Sequence, residues 1–95
     1  MYEIQITEDA LFQIHDKLEY LARKCSEQAY EAVHNDMSII LDYIRENPYY
    51  FSVYDKDPAH RRAHFQRHRY KFIYRIDDEA QVVYVKAFLH DLEDR

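Results

Sequence analysis

Residues 59–89, AHRRAHFQRHRYKFIYRIDDEAQVVYVKAFL, decide the fold of this chain. From Tyr70 to Asp77 the residues alternate. Tyr70, Phe72, Tyr74 and Ile76 fall on one face, and Lys71, Ile73 and Arg75 on the other, which predicts a half-buried strand. Gln81–His90 predicts its partner, with Val83, Val85, Ala87 and Leu89 on one face and Tyr84, Lys86, Phe88 and His90 on the other. Asp77–Ala80 is the turn between them. A further strand is expected over Arg61–Gln66, followed by a turn at Arg67-His68-Arg69.

Working outward, Tyr2-Glu-Ile4-Gln-Ile6 alternates strictly and reads as a short first strand. Thr7 suits an N-cap, and Glu8 and Asp9 suit the positive end of the helix that follows. The stripe Leu11, Ile14, Leu18, Leu21, Ala22, Cys25 predicts a helix to about Cys25, with that cysteine on its buried face. Ser26 caps a second helix striped by Ala29, Val33, Met37, Ile40, Leu41 and Ile44, and Asn47-Pro48 stops it. Residues 49–60 read as irregular, with a turn at Asp55-Lys-Asp-Pro58. The order β-α-α-β-β-β gives a single α+β domain over residues 1–95. A helical hairpin packs on one face of a mostly antiparallel four-stranded sheet.

Composition narrows the function. The chain has no glycine, so Gly-rich phosphate loops of the Walker or Rossmann kind are excluded. The one cysteine permits no internal disulfide, and a reducing, cytoplasmic setting is expected. The acidic N-terminal run and the lack of a long apolar segment give no support for a signal peptide or a membrane span. The net charge is −5, yet residues 59–76 hold six Lys/Arg and no acid. Salt screens distant acids beyond roughly 10 Å, so this block sets the local field.

With the apolar faces turned to the helices, the open sheet face should display Arg62, His64, Lys71, Arg75, Lys86 and His90, with Tyr84 and Phe88 among them. Like charges on neighbouring strands repel, so folding alone does not favour such a set. Guanidinium and ammonium groups bind phosphate and aromatic rings stack on unpaired bases, which points to a nucleic acid. RNA carries its own nucleophile, the 2′-hydroxyl. A base, an acid and cations for the phosphorane charge then suffice, and His90, His64, Arg62 and Lys71 are the candidate catalytic set. Arg61, Arg67, Arg69, Arg75 and Lys86, with Tyr84 for stacking, are the candidate phosphate and RNA contacts. No cofactor or metal is expected. His60, His64 and His68 would line up on a helix, but a strand and a turn do not converge them on one ion.

The run Arg69-Tyr70-Lys71-Phe72-Ile73-Tyr74-Arg75-Ile76-Asp77-Asp78-Glu79, then Val82-Val83-Tyr84-Val85 and Leu89-His90, resembles the C-terminal half of the RelE/ParE toxin superfamily. The element order is similar over nearly the whole chain. The resemblance implies a toxin of a type II toxin–antitoxin (plasmid-stabilisation) system, held by a cognate antitoxin. It implies either a metal-independent endoribonuclease acting on ribosome-bound mRNA or a ParE-like inhibitor of DNA gyrase. Arg62 and His64 match the outward basic residues of the family's second strand, Lys71 the basic residue after the first Tyr of the next, and His90 a C-terminal catalytic histidine. One departure stands out. Where many members place an Arg after that histidine, this chain reads His90-Asp91-Leu92-Glu93-Asp94, acids expected to repel RNA. A third reading, from a different class, is a non-catalytic module whose basic strands dock an acidic antitoxin peptide.

Overall fold

Tyr70 to Asp77 and its partner form the centre of the sheet. The structure, a computed structural model, describes residues 1–94. Its strands are β1 (Glu3–Ile6), β2 (Ser52–Val53), β3 (Arg61–His64), β4 (Tyr70–Asp77) and β5 (Val82–His90), and its helices are α1 (Glu8–Tyr20) and α2 (Glu27–Glu46). The sheet order is β1-β5-β4-β3-β2. β1 lies at one edge, parallel to β5, and the other pairings are antiparallel. The expected α+β layering holds, with one strand more than anticipated. β2 is two residues long, too short for any alternation to show in sequence.

The helices form where their caps are. The Thr7 hydroxyl accepts from the Ala10 N–H at 3.2 Å, and the Ser26 hydroxyl accepts from the Ala29 N–H at 3.0 Å. Between them no loop intervenes. Leu21–Cys25 widens into a π-helical turn, closed by the Ser26 N–H donating to the Leu21 carbonyl at 3.0 Å. The widened turn rotates the residues after Leu21 off the α1 stripe. Cys25 is exposed, against the buried position expected for it. Leu11 is exposed as well, and Ala10, Ile14 and Leu21 carry the buried stripe instead. The α2 stripe is as read, with Val33, Met37, Ile40 and Ile44 buried.

Under the helices lies an aromatic core. Phe65, Phe72 and Phe88 meet with ring centroids 5.1–5.6 Å apart, and all three are fully buried. The Tyr74 hydroxyl donates to the Pro48 carbonyl at 2.6 Å, tying the stop of α2 to β4. Burial keeps that phenol protonated by pushing its pKa well up. Tyr74→Phe leaves a buried carbonyl without its donor. A loss of about 1–2 kcal/mol is expected in urea unfolding, with the slope unchanged.

Phe88 reaches this core because β5 does not alternate simply. Tyr74 pairs with Val85 and Ile73 with Ala87, so Lys86 is an extra, unpaired residue. Such a bulge inverts the facing of everything after it. Val83, Val85, Phe88 and His90 therefore face the helices, and Tyr84, Ala87 and Leu89 face away. The expected faces are correct up to Val85 and reversed beyond it. The backbone groups released by the bulge find partners on or beside α1. The Thr7 hydroxyl lies 3.4 Å from the Lys86 carbonyl, and the Phe88 N–H donates to Gln13 Oε1 at 2.8 Å.

The β4–β5 turn is made without glycine. Gln81 adopts the left-handed region, with φ of 56°, and its side chain donates to the Asp78 carbonyl at 2.7 Å. Asp78 is gripped by two tyrosines from distant segments. The Tyr2 hydroxyl donates to Oδ1 at 2.7 Å and the Tyr49 hydroxyl to Oδ2. These bonds, from Tyr49 first and then Tyr2, hold the Asp78 carboxyl below its usual range. No described helix is long and apolar enough to cross a membrane.

Candidate functional site

Pairing register assigns the open face. His64 lies opposite Lys71, Arg62 opposite Ile73, Lys71 opposite Leu89, and Arg75 opposite Tyr84. Directly paired residues share a face, so Arg62, His64, Lys71, Arg75 and Tyr84 stand together on the side away from the helices. The Arg75 guanidinium stacks over the Tyr84 ring, 5.2 Å from its centroid. Lys86 is exposed at the bulge, and Arg67 and Arg69 are exposed in the β3–β4 loop.

Two candidates stand elsewhere. Arg61 faces the helix side, where its guanidinium donates to the Phe51 carbonyl at 2.7 Å and covers the Tyr49 ring at 4.9 Å. His90 also faces that side, carried there by the bulge, with its ring edge-on to Tyr70 at 5.2 Å. Its Nδ1 accepts from the Leu92 N–H at 3.1 Å, which leaves the ring proton on Nε2 in the neutral form. The sequence reading had His90 beside His64 and Lys71. The sheet separates them.

What lies over the cations is the acidic segment after β5. Asp91–Asp94 forms a single 3₁₀ turn that leaves β5 and crosses the open face. Asp91 Oδ1 lies 3.1 Å from His64 Nε2 and 3.7 Å from Lys71 Nζ, so one oxygen sits between two nitrogens. Asp94 Oδ2 lies 2.8 Å from Lys71 Nζ. Its other oxygen accepts from the Tyr54 hydroxyl, with Lys56 Nζ 3.2 Å away. Lys71, a surface lysine by its strand position, is only 7% exposed as a result.

The electrostatics follow. Burial alone would raise the Asp94 carboxyl, but the bonds from Lys71, Tyr54 and Lys56 outweigh it and hold the group at about 2. At Asp91 burial again opposes, and His64 and then Lys71 bring the carboxyl below its usual range. Burial first, then the Asp94 bond, pushes the Tyr54 phenol up to about 12. Glu93 points the other way. It accepts from the His90 N–H at 2.8 Å and lies 3.0 Å from Lys17 Nζ of α1, and both contacts depress its carboxyl.

The remaining cations have no such cover. Among the described residues Arg62, Arg67, Arg69, Arg75 and Lys86 form no ion pair with a carboxylate. The acidic helices thus leave these five side chains without a carboxylate partner. The three histidines of the H-x3-H-x3-H run each meet a different aspartate: His60 meets Asp57 at 3.0 Å, His64 meets Asp91, and His68 meets Asp36 at 3.1 Å. The His60 and His68 nitrogens lie close to their aspartates without making a hydrogen bond. His68 nevertheless tethers the β3–β4 loop to α2. A groove of about 300 Å³ opens beside that loop, lined by Ile39, Tyr43, Tyr50, His64 and Arg67.

Sequence reasoning missed Tyr54, Lys56, Asp91 and Asp94 as members of this face. A signal existed in the i, i+3 spacing of Asp91 and Asp94, since side chains three apart eclipse on a 3₁₀ turn. Nothing in the sequence showed which way the turn would fold.

No family profile and no curated protein sequence matches the chain. Its fold, by contrast, is found among solved structures. A chain of the chromosomal ParDE toxin–antitoxin system from P. aeruginosa superimposes with a TM-score of 0.75 at 14% identity, over 95% of this chain and 96% of that one. The isolated E. coli RelE toxin gives 0.63 at 20% identity, over 95% and 84%. A chain of the RelBE2 toxin–antitoxin complex from Mycobacterium tuberculosis gives 0.62 at 20%, over 94% and 90%. Two helices laid on one face of a sheet whose first strand runs parallel to its last, superimposing over more than nine-tenths of this chain, give this protein the RelE/ParE toxin fold.

Proposed function

We propose that the protein is the toxin of a type II toxin–antitoxin system, a single-domain cytoplasmic protein held by a cognate antitoxin. In this reading it cleaves ribosome-bound mRNA without a metal. The observation that carries it is the open face, where Arg62, His64, Lys71 and Arg75 share one surface. Among the described residues Arg62 and Arg75 have no carboxylate partner, and His64 and Lys71 pair only with the Asp91–Asp94 turn. His64 is the base that takes the 2′-hydroxyl proton. The 2′-oxygen then attacks the adjacent phosphorus and the 5′-oxygen departs. Arg62 and Lys71 neutralise the phosphorane, and the Lys71 ammonium gives the leaving 5′-oxygen its proton. Arg75 on Tyr84 offers a flat surface for a neighbouring base. Arg67, Arg69 and Lys86 extend the phosphate contacts.

His90 favours a second reading, a ParE-like inhibitor of DNA gyrase. It stands across the sheet from His64, so the face lacks the second imidazole of an acid–base pair. The likeness to the ParDE chain over almost all of both chains is in keeping with that reading.

One experiment separates the two. The induced protein is added to a translating extract with a reporter mRNA, and in parallel to purified gyrase with relaxed plasmid. Cut mRNA that stays whole with Arg62→Ala or His64→Ala is the expected result. Whole mRNA throughout with blocked supercoiling assigns the chain to gyrase. Neither effect, with no growth defect on induction, leaves the non-catalytic docking module.

A further inference from the structure

The Asp91–Asp94 turn has the features of an occupant of the cationic face. Asp91 and Asp94 eclipse on the 3₁₀ turn and so present two anionic groups in succession, as consecutive phosphates of one strand do. Each is received by convergent donors from several strands. Asp91 has His64 on β3 and Lys71 on β4, and Asp94 has Lys71 together with Tyr54 and Lys56 beyond β2. Donors of this kind serve a phosphate oxygen as well as a carboxylate oxygen.

The turn is held by polar contacts: the ion pairs and the Tyr54 bond above, and the Asp91 N–H donating to the Arg69 carbonyl at 2.8 Å. Leu92, its one apolar side chain, is 56% exposed, so no hydrophobic contact anchors it. The remaining side-chain ties are Lys17 to Glu93, the His90 N–H donating to Glu93 Oε1, and the Leu92 N–H donating to His90 Nδ1. The turn can leave the face with β5 still fully paired, because it begins after the last ladder residue, His90.

We propose that the Asp91–Asp94 turn is a removable carboxylate plug seated in a two-phosphate site formed by His64, Lys71, Tyr54 and Lys56. A single-stranded phosphodiester chain and the turn compete for that site. The proposal rests on the reading that the open face takes a nucleic-acid backbone, and it adds that the resting protein is self-occluded. It also gives the acids after His90 a role. They do not merely repel RNA; they stand where it would bind.

The test uses the full chain and a fluorescein-labelled single-stranded RNA octamer, read by anisotropy. Asp91→Asn with Asp94→Asn is compared with wild type and with Glu31→Gln plus Glu46→Gln, an equal charge change on exposed residues of α2. A plug closed nine-tenths of the time weakens apparent affinity roughly tenfold, so the tail variant should bind about tenfold tighter than wild type. Adding Lys71→Gln should remove that gain. Equal tightening in the helix variant, or none in the tail variant, overturns the plug while the growth and extract assays still stand for the toxin reading. No binding by any form overturns the two-phosphate site itself. Should the tail variant fail to fold, hydrogen exchange of wild type decides. The Asp91 amide, which donates to the Arg69 carbonyl at 2.8 Å, should lose protection when RNA is added, and unchanged protection at saturating RNA overturns the proposal.

Discussion

Phe88→Ala should cost about 3–5 kcal/mol of folding free energy, whereas its neighbour Leu89→Ala should cost about 1 kcal/mol. Simple alternation along β5 predicts the reverse order, with Leu89 inside and Phe88 on the open face. The bulge at Lys86 turns Phe88 into the aromatic core, fully buried against Phe65 and Phe72. Truncation there removes a ring from a close-packed cluster that β3, β4 and β5 all contribute to, so little collapse can fill the space. Leu89 pairs with Lys71 on the other face and is half-buried. Urea unfolding of the two variants reads the difference directly. Comparable losses, or a larger loss at Leu89, would reject the bulge and return His90 to the open face.

The second large effect is acid destabilisation centred on the turn after β5. The Asp94 carboxyl is held at about 2 in the folded chain against an ordinary 3.8, so the folded state favours its charged form. A depressed carboxyl contributes stability that is present above the ordinary value and is lost as pH falls through the folded one. The window runs from about pH 4 down to about pH 2, and Asp94 alone accounts for roughly 2 kcal/mol within it. Asp91 and Glu93 are shifted in the same direction and steepen the fall. Measured as urea midpoints between pH 7 and pH 2, wild type should lose stability more steeply than Asp94→Asn, whose profile should be flatter by that amount. Parallel profiles would mean that the carboxylate is not engaged by Lys71, Tyr54 and Lys56 in solution.

Much of the fold was legible because its signals are local. Tyr70–Asp77 alternates without fault and its observed bounds are those expected. Thr7, Ser26 and Asn47-Pro48 mark helix ends through capping chemistry that acts within a few residues. Leu11 apart, the misplaced faces arise where an extra residue enters a repeat. The π-helical turn at Leu21–Cys25 and the bulge at Lys86 each add one, and each sends later residues to the wrong side. Lys86 and Ala87 fit either facing by type, so neither announces the bulge. The partners that satisfy it, Thr7 and Gln13, are some 75 residues away in sequence.

The candidate site divides in the same way. Arg62, His64, Lys71 and Arg75 lie before the bulge, and their shared face follows from alternation alone. His90 was placed with them by unbroken alternation along the last strand, and Arg61 by its type. The pairing register assigns both to the helix side. The acidic turn was visible as composition but not as a contact. Its landing on Lys71 depends on the whole sheet being in place.

The two ends of the central hairpin are fastened by different means. At the turn end, Asp78 joins Tyr2 and Tyr49, so the first strand, the segment after α2 and the β4–β5 turn are tied at one point. At the far end, where His64 and Lys71 stand, the cover is one short turn with no apolar anchor. Small excursions of the native state will therefore begin at the basic end while the tyrosine-bound end keeps its register. The hairpin is thus pinned at its turn end by hydrogen bonds from two distant segments and covered only by a short polar turn at the end that carries His64 and Lys71.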